Sequence, residues 1–267
     1  MNSRGIHYVL FFICAQFIPI HCFSTQHVLI PSRQEAHAIG QRLWQNECNK
    51  SIAGLTSWNK GEAFASLGIG HFIWFPRNCS APFTQTFPLL LIFFKKNGVK
   101  LPAWLTASSY CPWSSREEFI AAINSAHMNE LRTLLSATVD LQVLCIVERM
   151  QKALPAMVKN KSLKEKRHIK KQFYRVAQSP NGLYVLIDYI NFKGEGTNVQ
   201  ERYNGQGWGL VQVLERMHDD KDPLKEFAQA ASTVLTMRVQ HAPNKEVEQR
   251  FLLGWLNRIK TYTHINN

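Results

Sequence analysis

Apolar positions at three- and four-residue intervals mark the first element of this chain. Ser32 and Glu35 have the spacing of a capping box, and Ala36, Ile39, Leu43 and Glu47 follow on one face, which predicts a helix over 33–48. That spacing puts a carboxylate, Glu47, on the inward face of the last turn. Residues 49–62 are rich in Ser, Thr, Gly and Asn, and the apolar run 64–75 is interrupted by Gly68 and Gly70. Two glycines in a short apolar run suit a small twisted hairpin better than a helix. From Thr86 onward nearly every signal is helical. Pro88 in a first turn, the block Leu89 to Phe94 and the stop Lys95-Lys96-Asn97-Gly98 predict a short buried helix, too short to cross a membrane. A Pro- and Trp-rich connection over 101–113 leads to a second capping box, Ser115 with Glu118, and helices continue through Leu154. Asp222-Pro223 and Ala242-Pro243 open the last two helices. The chain shows no internal repeat and no low-complexity tract. A mostly α, α+β fold class follows.

The 267 residues are 45% apolar, enough for a buried core in one domain or two, and this excludes a disordered or collagen-like polymer. Lys and Arg number 31 against 19 Asp and Glu, a formal charge of +12 that favours an acidic partner: nucleic acid, anionic lipid or anionic polysaccharide. The N-terminus narrows the choice. Arg4 precedes an uncharged apolar run from Tyr8 to Ile20, and Cys22-Phe23-Ser24 supplies small residues where a signal peptidase reads, so residues 1–24 have the form of a cleaved secretory signal. That run falls short of the roughly 20 residues that span a bilayer, and Pro19 interrupts it, so no stable transmembrane anchor is expected. A secreted or periplasmic protein would start near Thr25 and, having lost Arg4, carry +11. Its cysteines Cys48, Cys79, Cys111 and Cys145 permit two disulfides in three connectivities, or remain as buried thiols. None has a zinc-ligand spacing, and no metal or other cofactor is expected. The densest positive stretch, Arg149 to Arg175, reads equally as a solvated helix face or a polyanion-binding surface. It lacks interleaved aromatics and any DNA-binding motif, so nucleic acid is not expected as a partner.

The chemistry concentrates in Glu47 and Ser66-Leu67-Gly68-Ile69-Gly70-His71. A carboxylate at a helix end facing a small Gly-containing hairpin is a workable glycosidase layout: a partly apolar wall keeps the acid protonated, and the hairpin brings a polar group to the sugar's other face. These residues resemble the phage-type lysozymes, the muramidases of tailed-phage lysis systems, in a partial and divergent way. That family places a catalytic Glu at the end of the first long helix, an Asp in the next loop and a Thr just before Gly-Ile-Gly-His. The resemblance makes Glu47 the acid, puts Ser66 in the Thr position and gives the Asp position to Glu62 or Asn59. It recurs at Leu186 to Glu195, similar to the family's central lobe helix, and from Arg238 to Tyr262, similar to its closing helices. The 24 residues between Glu47 and His71 exceed the family's usual loop, and an enlarged basic insertion occupies 76–176.

The resemblance implies a lysozyme-like two-lobed fold over 25–267, with a small β-hairpin lobe, a larger helical lobe and a cleft between them. It implies cleavage of the β-1,4 bond between N-acetylmuramic acid and N-acetylglucosamine in peptidoglycan glycan strands. Glu47 would protonate the glycosidic oxygen while Glu62 and Ser66 hold a water or stabilise the transition state. Carboxylates about 6.5–9.5 Å apart would give inversion, and about 5–5.5 Å retention. Gly68 and Gly70 let backbone approach the sugar, His71 reads mainly as a structural hydrogen-bonding group, and Trp58 and Trp74 are the first candidates to stack on it. A rival lies in the same chain. Glu195 followed by Gly209-Leu210-Val211-Gln212 is similar to the pattern of soluble lytic transglycosylases, where the catalytic Glu precedes Gly-Leu-Met-Gln. A non-catalytic peptidoglycan-binding or interaction protein with a degenerate lysozyme fold remains the third reading.

Overall fold

In the computed structural model, residues 28–264 are described apart from 78, 80–84, 107–109 and 220–221. The signal segment over 1–24 lies outside the described residues. Helix α1 (Arg33–Cys48) starts where Ser32 Oγ accepts the Glu35 N–H at 3.1 Å, the forward half of the expected capping box. It buries Ala36, Ile39, Leu43 and Trp44 and stops at Asn49, whose left-handed backbone (φ 48°) turns its N–H onto the Gln45 carbonyl.

The chain then forms a three-stranded antiparallel sheet, β1 (Thr56–Ser57), β2 (Ala65–Leu67) and β3 (Phe72–Trp74), in that order. The register pairs Ser66 with both Ser57 and Ile73. The expected hairpin is therefore present, with β1 added at its edge. Its turn is tied to the helices rather than to itself: the Ile69 N–H donates to Oε1 of fully buried Gln142 at 3.0 Å, and the Gln142 amide donates to the Leu135 carbonyl at 2.7 Å. Gly68 sits at φ +70°, and a Cβ there would lie 2.2 Å from Gln142 Oε1. Gly68→Ala is thus expected to strain the turn and break its anchor, lowering stability by about 2 kcal/mol or more in urea unfolding.

Ten further described α-helices follow. Helix α2 (Phe87–Lys96) buries Phe87, Leu90, Leu91 and Phe94 but leaves Leu89 and Ile92 exposed, so the expected buried helix is one-sided. After α3 (Ala103–Thr106), Ser115 caps α4 (Arg116–Ala121), yet Glu118 returns its carboxylate to the Ser114 N–H instead of to Ser115. Then come α5 (Ala126–Ala137), α6 (Val139–Met157), which packs most extensively on α1, and α7 (Leu163–Ala177). The full reciprocal capping box lies at Ser162 and Glu165 of α7. Helices α8 (Gly182–Lys193), α9 (Leu210–Arg216), α10 (Pro223–His241) and α11 (Lys245–Lys260) complete the order. Asp222 caps α10 as its Asp-Pro pair predicts; α11 is capped by Asn244, which leaves Pro243 ahead of the helix rather than in its first turn.

The stretch 76–176 is not an appendage, because Leu131, Val143, Ile146, Ile169 and Phe173 join the same core as α1 and the sheet. Its positive charge is partly neutralised at home. Lys171 and Arg175 pair with Asp219, Arg175 also with Glu226, and Lys161 with Glu215. Cys48, Cys79, Cys111 and Cys145 are all free thiols in the structure. No helix among the described residues is long and apolar enough to cross a membrane.

Candidate active site

The end of α1 and the hairpin turn meet at Glu47. Its Oε2 lies 3.1 Å from His71 Nε2, and its Oε1 accepts a 2.8 Å bond from the Arg258 guanidinium of α11. His71 reaches it from a left-handed backbone (φ 47°) beside the Gly68–Gly70 turn, so the strained turn aims the imidazole at the helix end. Arg258 is itself held by Asp188, which lies fully buried inside α8. Asp188 accepts Arg258 Nε at 2.8 Å and the second guanidinium nitrogen at 2.7 Å, in fork-to-fork geometry. Tyr262 donates its hydroxyl to Asp188 at 2.6 Å, and Asn46, next to Glu47 on α1, donates to the Tyr184 hydroxyl at 2.7 Å. The ends of α1 and α11, the hairpin turn and α8 are therefore joined in one network around two carboxylates, Glu47 and Asp188.

Electrostatics follow from these contacts. The His71 hydrogen bond is the largest cause that lowers the Glu47 pKa; burial opposes it, and Arg258 adds to it, leaving Glu47 at about 2 against an ordinary 4.5. Glu47 is a carboxylate in the free protein at neutral pH. A folded-state pKa below the unfolded value means stability that is complete above pH 4.5 and lost as the pH falls toward 2. Thermal unfolding is expected to show that loss between those limits, and Glu47→Gln to flatten it. An unchanged slope in the variant would contradict the assignment.

Glu195 stands in the opposite condition. It follows α8, is half-buried, and burial raises its pKa, with Arg149 pulling the other way. Its loop is clamped onto the start of α9: Leu210 and Val211 N–H groups donate to the Gly194 and Glu195 carbonyls at 3.0 and 3.1 Å, and Gln212 Nε2 donates to the Gly196 carbonyl at 3.1 Å. A Cβ on Gly209 would lie 2.1 Å from the Gly196 nitrogen, so the Glu195 and Gly209-to-Gln212 segments need each other physically.

No protein-family model, curated protein or solved structure matches this chain. The site rests on its own geometry.

The other residues singled out in the sequence make contacts of their own. The Glu62 carboxylate accepts from Asn59 Nδ2 at 3.2 Å and lines a groove of about 660 Å³ with Trp58, Lys60, Arg77 and Arg116, whereas Glu47 bonds His71 and Arg258. Ser66 is 7% exposed in the middle strand, with its carbonyl accepting from Ser57. Trp74 is fully buried against Phe87, Trp104 and Trp113, so the expected sugar-stacking role does not fit it. Trp58 is nearly buried, its indole N–H donating to the Glu62 carbonyl at 2.8 Å. Asp188, Arg258 and Tyr262 are the functional-site residues that the sequence reading missed. One signal was available: an Asp inside the apolar run Leu186-Ile187-Asp188-Tyr189-Ile190 demands a buried partner. Lys193, one turn beyond that run, holds its ammonium over the Trp255 ring, 3.4 Å from the centroid, and burial pushes its pKa down to about 7, helped by Arg238.

Proposed function

We propose that the chain is a peptidoglycan-cleaving glycosidase with a lysozyme-like arrangement of a small sheet lobe and a helical lobe, and with Glu47 as proton donor. The observation that carries this reading is the contact between Glu47, at the last turn of α1, and His71, in the hairpin turn 24 residues later. Helix end and Gly-containing turn together form the wall against which a glycan strand would lie. Sugar binding there breaks the contact with His71, whose side chain is 43% exposed, and further desolvates the carboxyl, so both changes raise the Glu47 pKa. Glu47, having taken a proton from solvent as its pKa rises, gives it to the glycosidic oxygen as the C–O bond breaks; water adds to the anomeric carbon and releases one proton to solvent, so protons balance and Glu47 ends as a carboxylate. Arg258, held in place by Asp188, stabilises the carboxylate that results. A low pKa makes the protonated form scarce and the donor strong, a balance that acid catalysis tolerates within limits. Residues 1–24 act in this reading as a secretory signal, and the excess positive charge draws the protein to the anionic wall.

One observation favours a second reading. Burial raises the Glu195 pKa, the direction that suits a general acid, and its loop is clamped to Gly209–Gln212, the segment that carries the resemblance to transglycosylases. The chemistry of the ends separates the two. Purified sacculi treated with the protein are expected to release soluble fragments with new reducing ends. Terminal 1,6-anhydro sugars would transfer the acid role to Glu195, and no soluble release would contradict the enzyme reading.

A further inference from the structure

From Phe87 to Phe94, helix α2 is apolar all round. Its inner side, Phe87, Leu90, Leu91 and Phe94, is buried, and the helix packs on β3 and α6. Positions 89, 92, 93 and 96 follow at three- and four-residue intervals on the opposite side, so Leu89, Ile92 and half-buried Phe93 form an outward stripe that ends at Lys96. Leu89 is 47% exposed and Ile92 62%. A helix apolar on every side is normally buried on every side, so such a stripe marks a contact that the free chain does not make.

The charge around the stripe is of one sign. Between Glu62 and Glu117 the sequence holds five Lys or Arg and no Asp or Glu. Three of the five are exposed at the end of α2 or just beyond it: Lys95, Lys96 and Lys100. None of these three forms an ion pair among the described residues. Glu130, the carboxylate that shares a shallow groove with Lys100, accepts the Trp104 indole N–H at 2.7 Å. A second copy of the chain, itself at a formal +12, is a poor cover for such a face. A glycan or nucleic acid would meet the lysines and leave Leu89 and Ile92 in water. An anionic bilayer answers both at once, with headgroup phosphates for the lysines and the acyl boundary for the stripe.

We propose that the outer face of α2 docks the protein on an anionic phospholipid surface. The helix lies in the plane of the interface, Leu89, Ile92 and Phe93 dip toward the acyl chains, and Lys95, Lys96 and Lys100 meet the phosphates. Ten residues are too few to cross a bilayer, so the association is peripheral and reversible. Docking of this kind does not depend on the glycosidase reading, and Glu47 takes no part in it.

The test is co-sedimentation of the chain from Thr25 onward, which retains the whole described core, with two kinds of vesicle: phosphatidylcholine alone, and phosphatidylcholine mixed with an equal part of phosphatidylglycerol. At about 0.1 M salt the mixed vesicles are expected to bind the protein about tenfold tighter or more. Each lysine near an anionic surface is worth about fivefold, so Lys95→Glu combined with Lys96→Glu should weaken that binding by about 25-fold or more. Ile92→Asp, at an exposed position, should weaken it about tenfold or more, whereas Leu253→Asp, equally exposed on α11, should leave it unchanged. The lysine pair keeps the test available if Ile92→Asp does not fold. Equal binding to the two kinds of vesicle, no binding to either, binding that survives Ile92→Asp or the lysine pair, or an equal loss with Leu253→Asp overturns the proposal. A dimer in analytical ultracentrifugation that Ile92→Asp splits, in a protein that ignores both vesicles, would assign the face to a second copy instead.

Discussion

Glu47→Gln is expected to lower muropeptide release from sacculi by about 10²–10⁴-fold, the usual yield of a positioned general acid. Gln keeps the shape and an acceptor oxygen for Arg258, turns an NH2 donor toward His71 Nε2, and has no acidic proton to give to a leaving oxygen. The variant should remain folded, because the neighbouring Asp188 still neutralises Arg258. Glu195→Gln, in contrast, is expected to change turnover far less. If the two losses are reversed, the proton comes from Glu195 and the low pKa of Glu47 belongs to a structural ion pair.

Asp188→Ala is expected to be the most destabilising single change in the site. Asp188 is completely buried and takes two bonds from Arg258 and one from Tyr262. Its removal leaves the Tyr262 hydroxyl without its acceptor and Arg258 with Glu47 alone. Breaking one partner of a buried ion pair costs about 3–5 kcal/mol. In a domain of this size each kcal/mol moves Tm by about 2–4 °C, so scanning calorimetry should find a fall of roughly 10 °C. Asp188→Asn keeps an acceptor and should fall less. Arg258, freed from Asp188, would also lose its fixed aim at Glu47, so activity should drop with stability. A Tm within 2–4 °C of wild type, about 1 kcal/mol, would show that Asp188 is not the keystone of this network.

Local chemistry made much of the fold legible. The helix over 33–48, the Gly-containing hairpin, the short helix ending at Lys96 and the Asp-Pro start of α10 are each set by residues within a few positions of one another. β1 escaped because two residues carry no periodicity. The site was legible only on the side written into short segments. Glu47 and His71 belong to recognisable stretches and do meet. Arg258 lies 211 residues from Glu47 and 70 from Asp188, and no local pattern announces such a pairing. Trp74 does not fit its expected stacking role, since which way a strand indole faces is decided by the helices and connections that later cover the sheet. The basic run left a solvated face and a polyanion surface equally open because its acidic partners Glu215, Asp219 and Glu226 come from beyond it.

The central claim is that Glu47 donates the proton in a glycan-cleaving cleft. It is tested most directly by chromatography and mass spectrometry of sacculus digests made with wild type, Glu47→Gln and Glu195→Gln side by side. The account predicts reducing-end muropeptides from the wild type, almost none from Glu47→Gln and a clear yield from Glu195→Gln. Undiminished muropeptides from Glu47→Gln would contradict it.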